Sequence, residues 1–139
     1  MANKLNGKLL LAYVAGIIDG EGCIGIHSNT VRVAVKQTNE WLIKFLKMNF
    51  GGHLVYQKHS WGNPRSKPIW SWSIEAKKAC EFLQIILPYL QIKRPQVELA
   101  LSFQKRRTGE WRKKGLPPEI KMLDDIDTTL MHKMNQRGL

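Results

Sequence analysis

Cysteine is nearly absent from this sequence. Cys23 and Cys80 are the only two in 139 residues. Two thiols so far apart build neither a disulfide framework nor a zinc site, and both fall in apolar patterns that predict core positions. Long hydrophobic runs are missing too. The longest uncharged apolar stretch, residues 9–18, is too short to span a bilayer. It runs into Asp-Gly-Glu-Gly and not into a signal-peptide cleavage pattern. The expectation is a soluble, non-secreted protein of a reducing compartment with no membrane partner. No Gly-x-Ser-x-Gly, His-Glu-x-x-His or phosphate-loop pattern occurs, and His27, His53, His59 and His132 show no metal-ligand spacing. Repeats and low-complexity segments are also lacking. Acid is scarce: 11 Asp and Glu stand against 22 Lys and Arg, a net charge of +11. That excess predicts a polyanionic partner, nucleic acid above all. The length suits one domain, residues 1–139, with a real core.

What is present is concentrated in residues 9–26. Residues 8–19 read as a helix with two apolar faces, Leu10, Val14 and Ile17 on one, and Leu11, Ala15 and Ile18 on the other. Ala12 and Gly16 form a smooth third strip where another backbone can approach closely. The helix ends in Asp19-Gly20-Glu21-Gly22. Acids at a helix C-terminus oppose its partial negative charge, a cost that a bound cation offsets.

The remaining chain alternates between strand and helix patterns. Residues 24–27 and 31–36 read as strands, with Val31, Val33 and Val35 inward and Arg32, Ala34 and Lys36 outward. A helix capped at Thr38 or Asn39 carries Trp41, Leu42, Phe45 and Leu46 and stops at Gly51-Gly52. Strands at 53–59 and 69–74 form a hairpin, the second with Trp70, Trp72 and Ile74 inward and Ser71 and Ser73 outward. An amphipathic helix at 75–87 ends at Pro88, and Pro95 opens the next. Lys105, Arg106, Arg107, Arg112, Lys113 and Lys114 crowd a segment that suits phosphate contacts. A last helix follows Pro117-Pro118, with Ile120, Leu123, Leu130 and Met134 as its apolar positions. The predicted class is α+β: α-β-β-α-β-β-α with an antiparallel sheet, plus C-terminal helices. One sheet face is left bare and cationic.

A carboxylate at a helix end, a cationic sheet and a lysine before a helix are the parts that divalent-metal phosphodiester hydrolysis uses. The segment Val14-Ala15-Gly16-Ile17-Ile18-Asp19-Gly20-Glu21-Gly22 resembles the signature of the LAGLIDADG homing endonucleases. Ala15, Gly16, Ile18, Asp19 and Gly22 match outright, and Glu21 replaces the second acid conservatively. The stretch from Pro88 through Tyr89 and Leu90 to Lys93, Arg94, Pro95 and Gln96 resembles the family's Pro-aromatic-Leu segment. Met134-Asn135-Gln136-Arg137-Gly138 resembles a common family C-terminus.

The resemblance implies the αββαββα homing-endonuclease fold with a DNA-binding sheet. It implies a homodimer that cuts both strands of a pseudo-palindromic DNA site across the minor groove, leaving short 3′ overhangs. Glu21 then holds Mg²⁺, with Mn²⁺ or Ca²⁺ also able to occupy the site and the Gly20 carbonyl as second ligand. Lys93 supports the scissile phosphate. Gln37 organises active-site water, a role Lys36 fits with a different gap. Ala12, Ala15, Gly16 and Asp19 fall at the dimer interface, with Asp19 shaping the helix end. His27, Arg32, Lys36, Gln57, His59, Arg65, Ser71 and Arg94 are the expected DNA contacts, since Arg and Gln make bidentate base pairs. The implied setting is an intron-encoded enzyme of a bacterium, a phage-infected cell (cytoplasm or nucleoid) or an organelle. Two other readings remain open on the same fold: an RNA maturase with group I intron RNA as partner, and a non-catalytic DNA-binding regulator.

Overall fold

The computed structural model describes residues 7–59, 63–107 and 115–136. The first apolar stretch forms helix α1 (Gly7–Glu21), which runs past Asp19 to take Gly20 and Glu21 into its last turn. Strand β1 (Gly22–His27) follows with no loop between. Gly22 allows this close junction, because a Cβ there would lie 2.8 Å from the Ile18 carbonyl oxygen. Ser28 and Asn29 turn the chain into β2 (Thr30–Gln37). Both have positive φ, 50° and 61°, the twist that a two-residue hairpin turn requires.

Helix α2 (Glu40–Phe50) begins where the Asn39 side chain accepts the Leu42 amide at 3.0 Å. Strand β3 (His53–Gln57) stops short of His59, and β4 (Ile69–Glu75) pairs with it. Helix α3 (Ala76–Ile86), a 3-10 turn at Leu87–Tyr89, α4 (Arg94–Lys105) and α5 (Pro118–Met134) complete the order. The architecture is the expected α+β arrangement, an αββαββα unit with added helices.

The four strands make one antiparallel sheet in the order β1-β2-β4-β3. Val31, Val33 and Val35 are fully buried and, with Ile24, Trp72 and Ile74, form its covered face. Val14, Ala15 and Ile18 of α1, Ile43 and Leu46 of α2, Leu83 and Ile86 of α3, and Val97 and Phe103 of α4 close the core. Burial at about 25 cal/mol per Å² of apolar surface makes this layer the main source of stability. Trp72 buries its ring there and donates its indole N–H to the Gly51 carbonyl at 2.7 Å. Trp70, also expected inward, is only half-buried, since it sits at the loop end of the β3–β4 hairpin beside the exposed Tyr56.

Two expectations fail in instructive ways. Cys80 is buried but Cys23 is exposed. Cys23 pairs with Ala34, and strand alternation turns it away from Ile24 to the uncovered face. In α5, Leu123 and Leu130 stay exposed, while Asp124 and Met131 are buried. The reason is an ion cluster. Arg106 donates to Asp124 at 3.0 Å and to Asp127 at 2.5 Å, and the Arg107 guanidinium lies 2.9 Å from Asp124. Both arginines also lie over the Phe103 ring. Burial pulls the Arg106 guanidinium down, but the bonds to Asp127 and Asp124 more than reverse this and hold it above its ordinary value.

Arg106 and Arg107 are therefore committed to joining α4 to α5 and are not free for phosphate. The rest of that basic segment, Arg112, Lys113 and Lys114, lies outside the described residues. Asp124→Asn keeps the shape but removes the charge between two arginines. It is expected to lower stability by about 2 kcal/mol, read as a lower urea midpoint with an unchanged slope.

Candidate active site

Asp19 and Lys93 join the end of α1 to the start of α4. The Asp19 carboxylate accepts the backbone amides of Gln91, Ile92 and Lys93 at 2.8, 3.1 and 3.0 Å. In return the Lys93 ammonium donates to the carbonyls of Ile18, Asp19 and Gly22 at 2.9, 3.0 and 2.7 Å. Each group satisfies orphan backbone atoms at a helix end or in the turn leading to one. Asp19 meets the amides before α4, where negative charge is favourable, and Lys93 meets the negative end of α1. Burial lowers the Lys93 pKa from its ordinary value, while Asp19, Cys23 and Glu21 pull it back up. The acid at the unfavourable end of α1 is thus compensated within the chain.

Glu21 is exposed at the mouth of this junction. With both Asp19 oxygens committed to amides, the Glu21 carboxylate and a backbone carbonyl such as that of Gly20 remain as hard oxygen donors. Among the described residues no group of three His, Cys, Asp or Glu side chains could hold a metal. Mg²⁺ keeps several waters and takes one or two carboxylates together with substrate phosphate. The residues fit an open site of that type, completed by phosphate, and not a closed cage.

Sheet register settles which side chains share a face. Gly22 pairs with Val35, and Glu21, the residue before it, closes α1. Lys36 pairs with Ser71, and Cys23, Ala34 and Ser73 form the next row. His27, Arg32 and Gln57 lie on this same uncovered face. Gln37 does not. It pairs with Trp70 on the covered side, and its amide oxygen accepts the Thr38 amide at 2.9 Å. Lys36 and Gln37, the two residues expected to organise water, thus point to opposite faces of β2.

The remaining expected residues divide as well. His59 and Arg65 are exposed near the β3–β4 hairpin end. Arg94 turns back to the Leu87 and Leu90 carbonyls at 3.0 and 3.4 Å, closing the 3-10 turn. On α1, Ala12, Gly16 and Gly20 form an exposed line at four-residue spacing, and nothing lies within 4 Å of a Cβ built at Gly16 or Gly20. Ala15 is fully buried in its own core and does not belong to that strip. Asp19 is half-buried and occupied by the amides it caps.

The same architecture occurs in solved structures. A homing endonuclease, I-CvuI, in complex with its target in the presence of 2 mM Ca superposes with a TM-score of 0.71, at 20% identity over 94% of this chain and 84% of the other. The fold is that of the homing endonucleases. I-CvuI with the I-CreI target in 2 mM Mg, its DNA not cleaved, gives the same TM-score and identity over 95% and 86%. An archaeal intron-encoded homing endonuclease, I-Vdi141I, complexed with DNA, gives 0.68 at 15% identity over 94% and 86%. No protein-family model matches the sequence, and no curated protein matches it.

Sequence reading missed several features of this homing-endonuclease fold. The amides of residues 91–93 carry no sequence signal, although the acid at the wrong end of α1 hinted at a local donor. Asn135 donates to the Ile24 carbonyl at 2.8 Å, tying the last helix to the outer edge of β1. Edge strands need such cover, but nothing in the sequence specifies the partner.

Proposed function

We propose that this chain is a site-specific double-strand DNA endonuclease that acts as a homodimer and holds a divalent cation at Glu21. One observation carries the reading. The exposed acid ends a helix that opens directly onto the uncovered, cationic face of the sheet, in a fold shared with DNA-bound homing endonucleases. Neighbours solved with Ca or Mg support a divalent ion, with Mg²⁺ the working cation and Mn²⁺ or Ca²⁺ as substitutes.

In this reading the sheet lies in the major groove, where strands can follow base edges. Glu21 and the Gly20 carbonyl hold the cation. When bound, it supplies charge stabilisation for the attacking and leaving oxygens of the phosphodiester. Gln37 or, with a different gap, Lys36 organises water at the site. The Lys93 ammonium has three carbonyl partners, so in this state its charge reaches the phosphate through space and through the placement of Glu21. The strip Ala12–Gly16–Gly20 is the surface for a second copy. That pairing brings two Glu21 groups together, which the bound cations make tolerable. The setting is a DNA-containing compartment, the cytoplasm or nucleoid of a bacterium or phage-infected cell, or an organelle, with the gene in an intron.

The test is incubation with Mg²⁺ and a randomised duplex library, followed by sequencing of the cut ends. The expected products carry short 3′ overhangs, and the recovered sites are pseudo-palindromic. Cutting at asymmetric sites would sink the homodimer, and no Mg²⁺-dependent cutting would sink the endonuclease.

A further inference from the structure

Glu75 needs a reason to be where it is. Sheet register sets it on the uncovered face, opposite Arg32. Among the described residues of the four strands it is the one acid on that face, which also carries His27, Arg32, Lys36, His53, Val55 and Gln57. Against phosphates an acid there is repulsive. Glu75 is also the residue immediately before α3, where an acidic side chain stabilises a helix by accepting its first amides. It makes no such bond. Its carboxylate reaches across the strands to the Arg32 Nε at 3.5 Å. The next residue, Ala76, has φ of 56°. A non-glycine residue in that region is strained, and such strain persists where the surroundings enforce it. The chain gives up a helix cap and accepts backbone strain at the point where Glu75 is turned to the sheet face.

The chemistry of the pair accounts for this. A free arginine on a DNA-facing sheet can spend its donors on phosphate, which carries no sequence information. Pairing its Nε with a carboxylate restrains the guanidinium plane and leaves the two terminal nitrogens as donors. That edge matches the O6 and N7 acceptors of guanine. The carboxylate repels phosphate from the same spot and can accept from the N4 amine of the paired cytosine. Both side chains remain open enough to meet a groove, at 37% and 53% exposed.

We propose that Arg32 and Glu75 form one base-reading unit for a G·C pair in the major groove, with Glu75 the specificity-determining residue. The inference rests on the endonuclease reading and adds to it the residue that orients Arg32.

The experiment compares wild type, Glu75→Gln and Arg32→Ala on the randomised duplex library with Mg²⁺, scoring base preference at every recovered position. Wild type is expected to show a G·C preference at one position of each half-site. Glu75→Gln should weaken that preference by about tenfold and leave the preferences at other positions in place. Arg32→Ala should erase preference at the same position. Circular dichroism of Glu75→Gln matching wild type shows that the loss is not unfolding. A sharp wild-type profile that Glu75→Gln leaves unchanged overturns the inference alone. So does Arg32→Ala weakening cleavage evenly at all sequences, the mark of a phosphate contact. A wild type that enriches no sequence overturns the endonuclease reading and this inference with it.

Discussion

Glu21→Gln is expected to lower Mg²⁺-dependent DNA cleavage by at least about a thousandfold, because in the proposed function several kcal/mol of transition-state charge stabilisation depend on a cation held at Glu21. The substitution is nearly isosteric at an exposed position, so the fold should persist. DNA binding should also persist, since removing an acid from a DNA-facing site lowers repulsion. Cleavage kinetics on a supercoiled substrate, set beside gel-shift titrations, separate the two. Substantial cleavage by the variant would reassign the metal ligand, and the carboxylates left in this half of the molecule offer no obvious replacement. Asp19 already accepts three amides.

Asp19→Ala is expected to be the most damaging substitution outside the core. It leaves the amides of Gln91, Ile92 and Lys93 without their acceptor and removes the negative charge that most favours the Lys93 ammonium. Bonds to a charged acceptor contribute about 1.5–3 kcal/mol each but do not add fully, so the loss should be about 3 kcal/mol. For a chain of this size that is a fall in melting temperature of about 10 °C. The amides of residues 91–93 should exchange faster with solvent even where the protein is folded. Cleavage should fall as well, because Glu21 sits two residues along the same last turn of α1. Asp19→Asn keeps one acceptor oxygen and should fall between the two. An Asp19→Ala protein as stable as wild type would show that the Lys93 bonds alone hold the junction.

Much of the architecture is legible in the sequence alone. The period-two valines of β2, the Asn39 cap, the Gly51 stop and the proline breaks are local signals, each acting within a few residues. The Asp19-Gly20-Glu21 ending was readable because it contradicts helix electrostatics, and contradictions of local rules tend to mark function. Where the reading failed, a long-range partner decided the outcome. Asp124 outcompeted the leucines of α5 for the interior because Arg106 and Arg107 arrive from α4.

The sequence by itself determined the element order, the charge balance and the acid-bearing end of α1, since periodicity, caps and composition act locally or sum over the chain. Only the tertiary structure decided the reciprocal Asp19–Lys93 clasp, the Arg106–Asp124 cluster that buries an acid of α5, and the turning of Glu75 toward Arg32. Each of these depends on strand register or on contacts between residues far apart in the chain. No local pattern encodes such pairings, because their energy exists only after the sheet and the helices have come together.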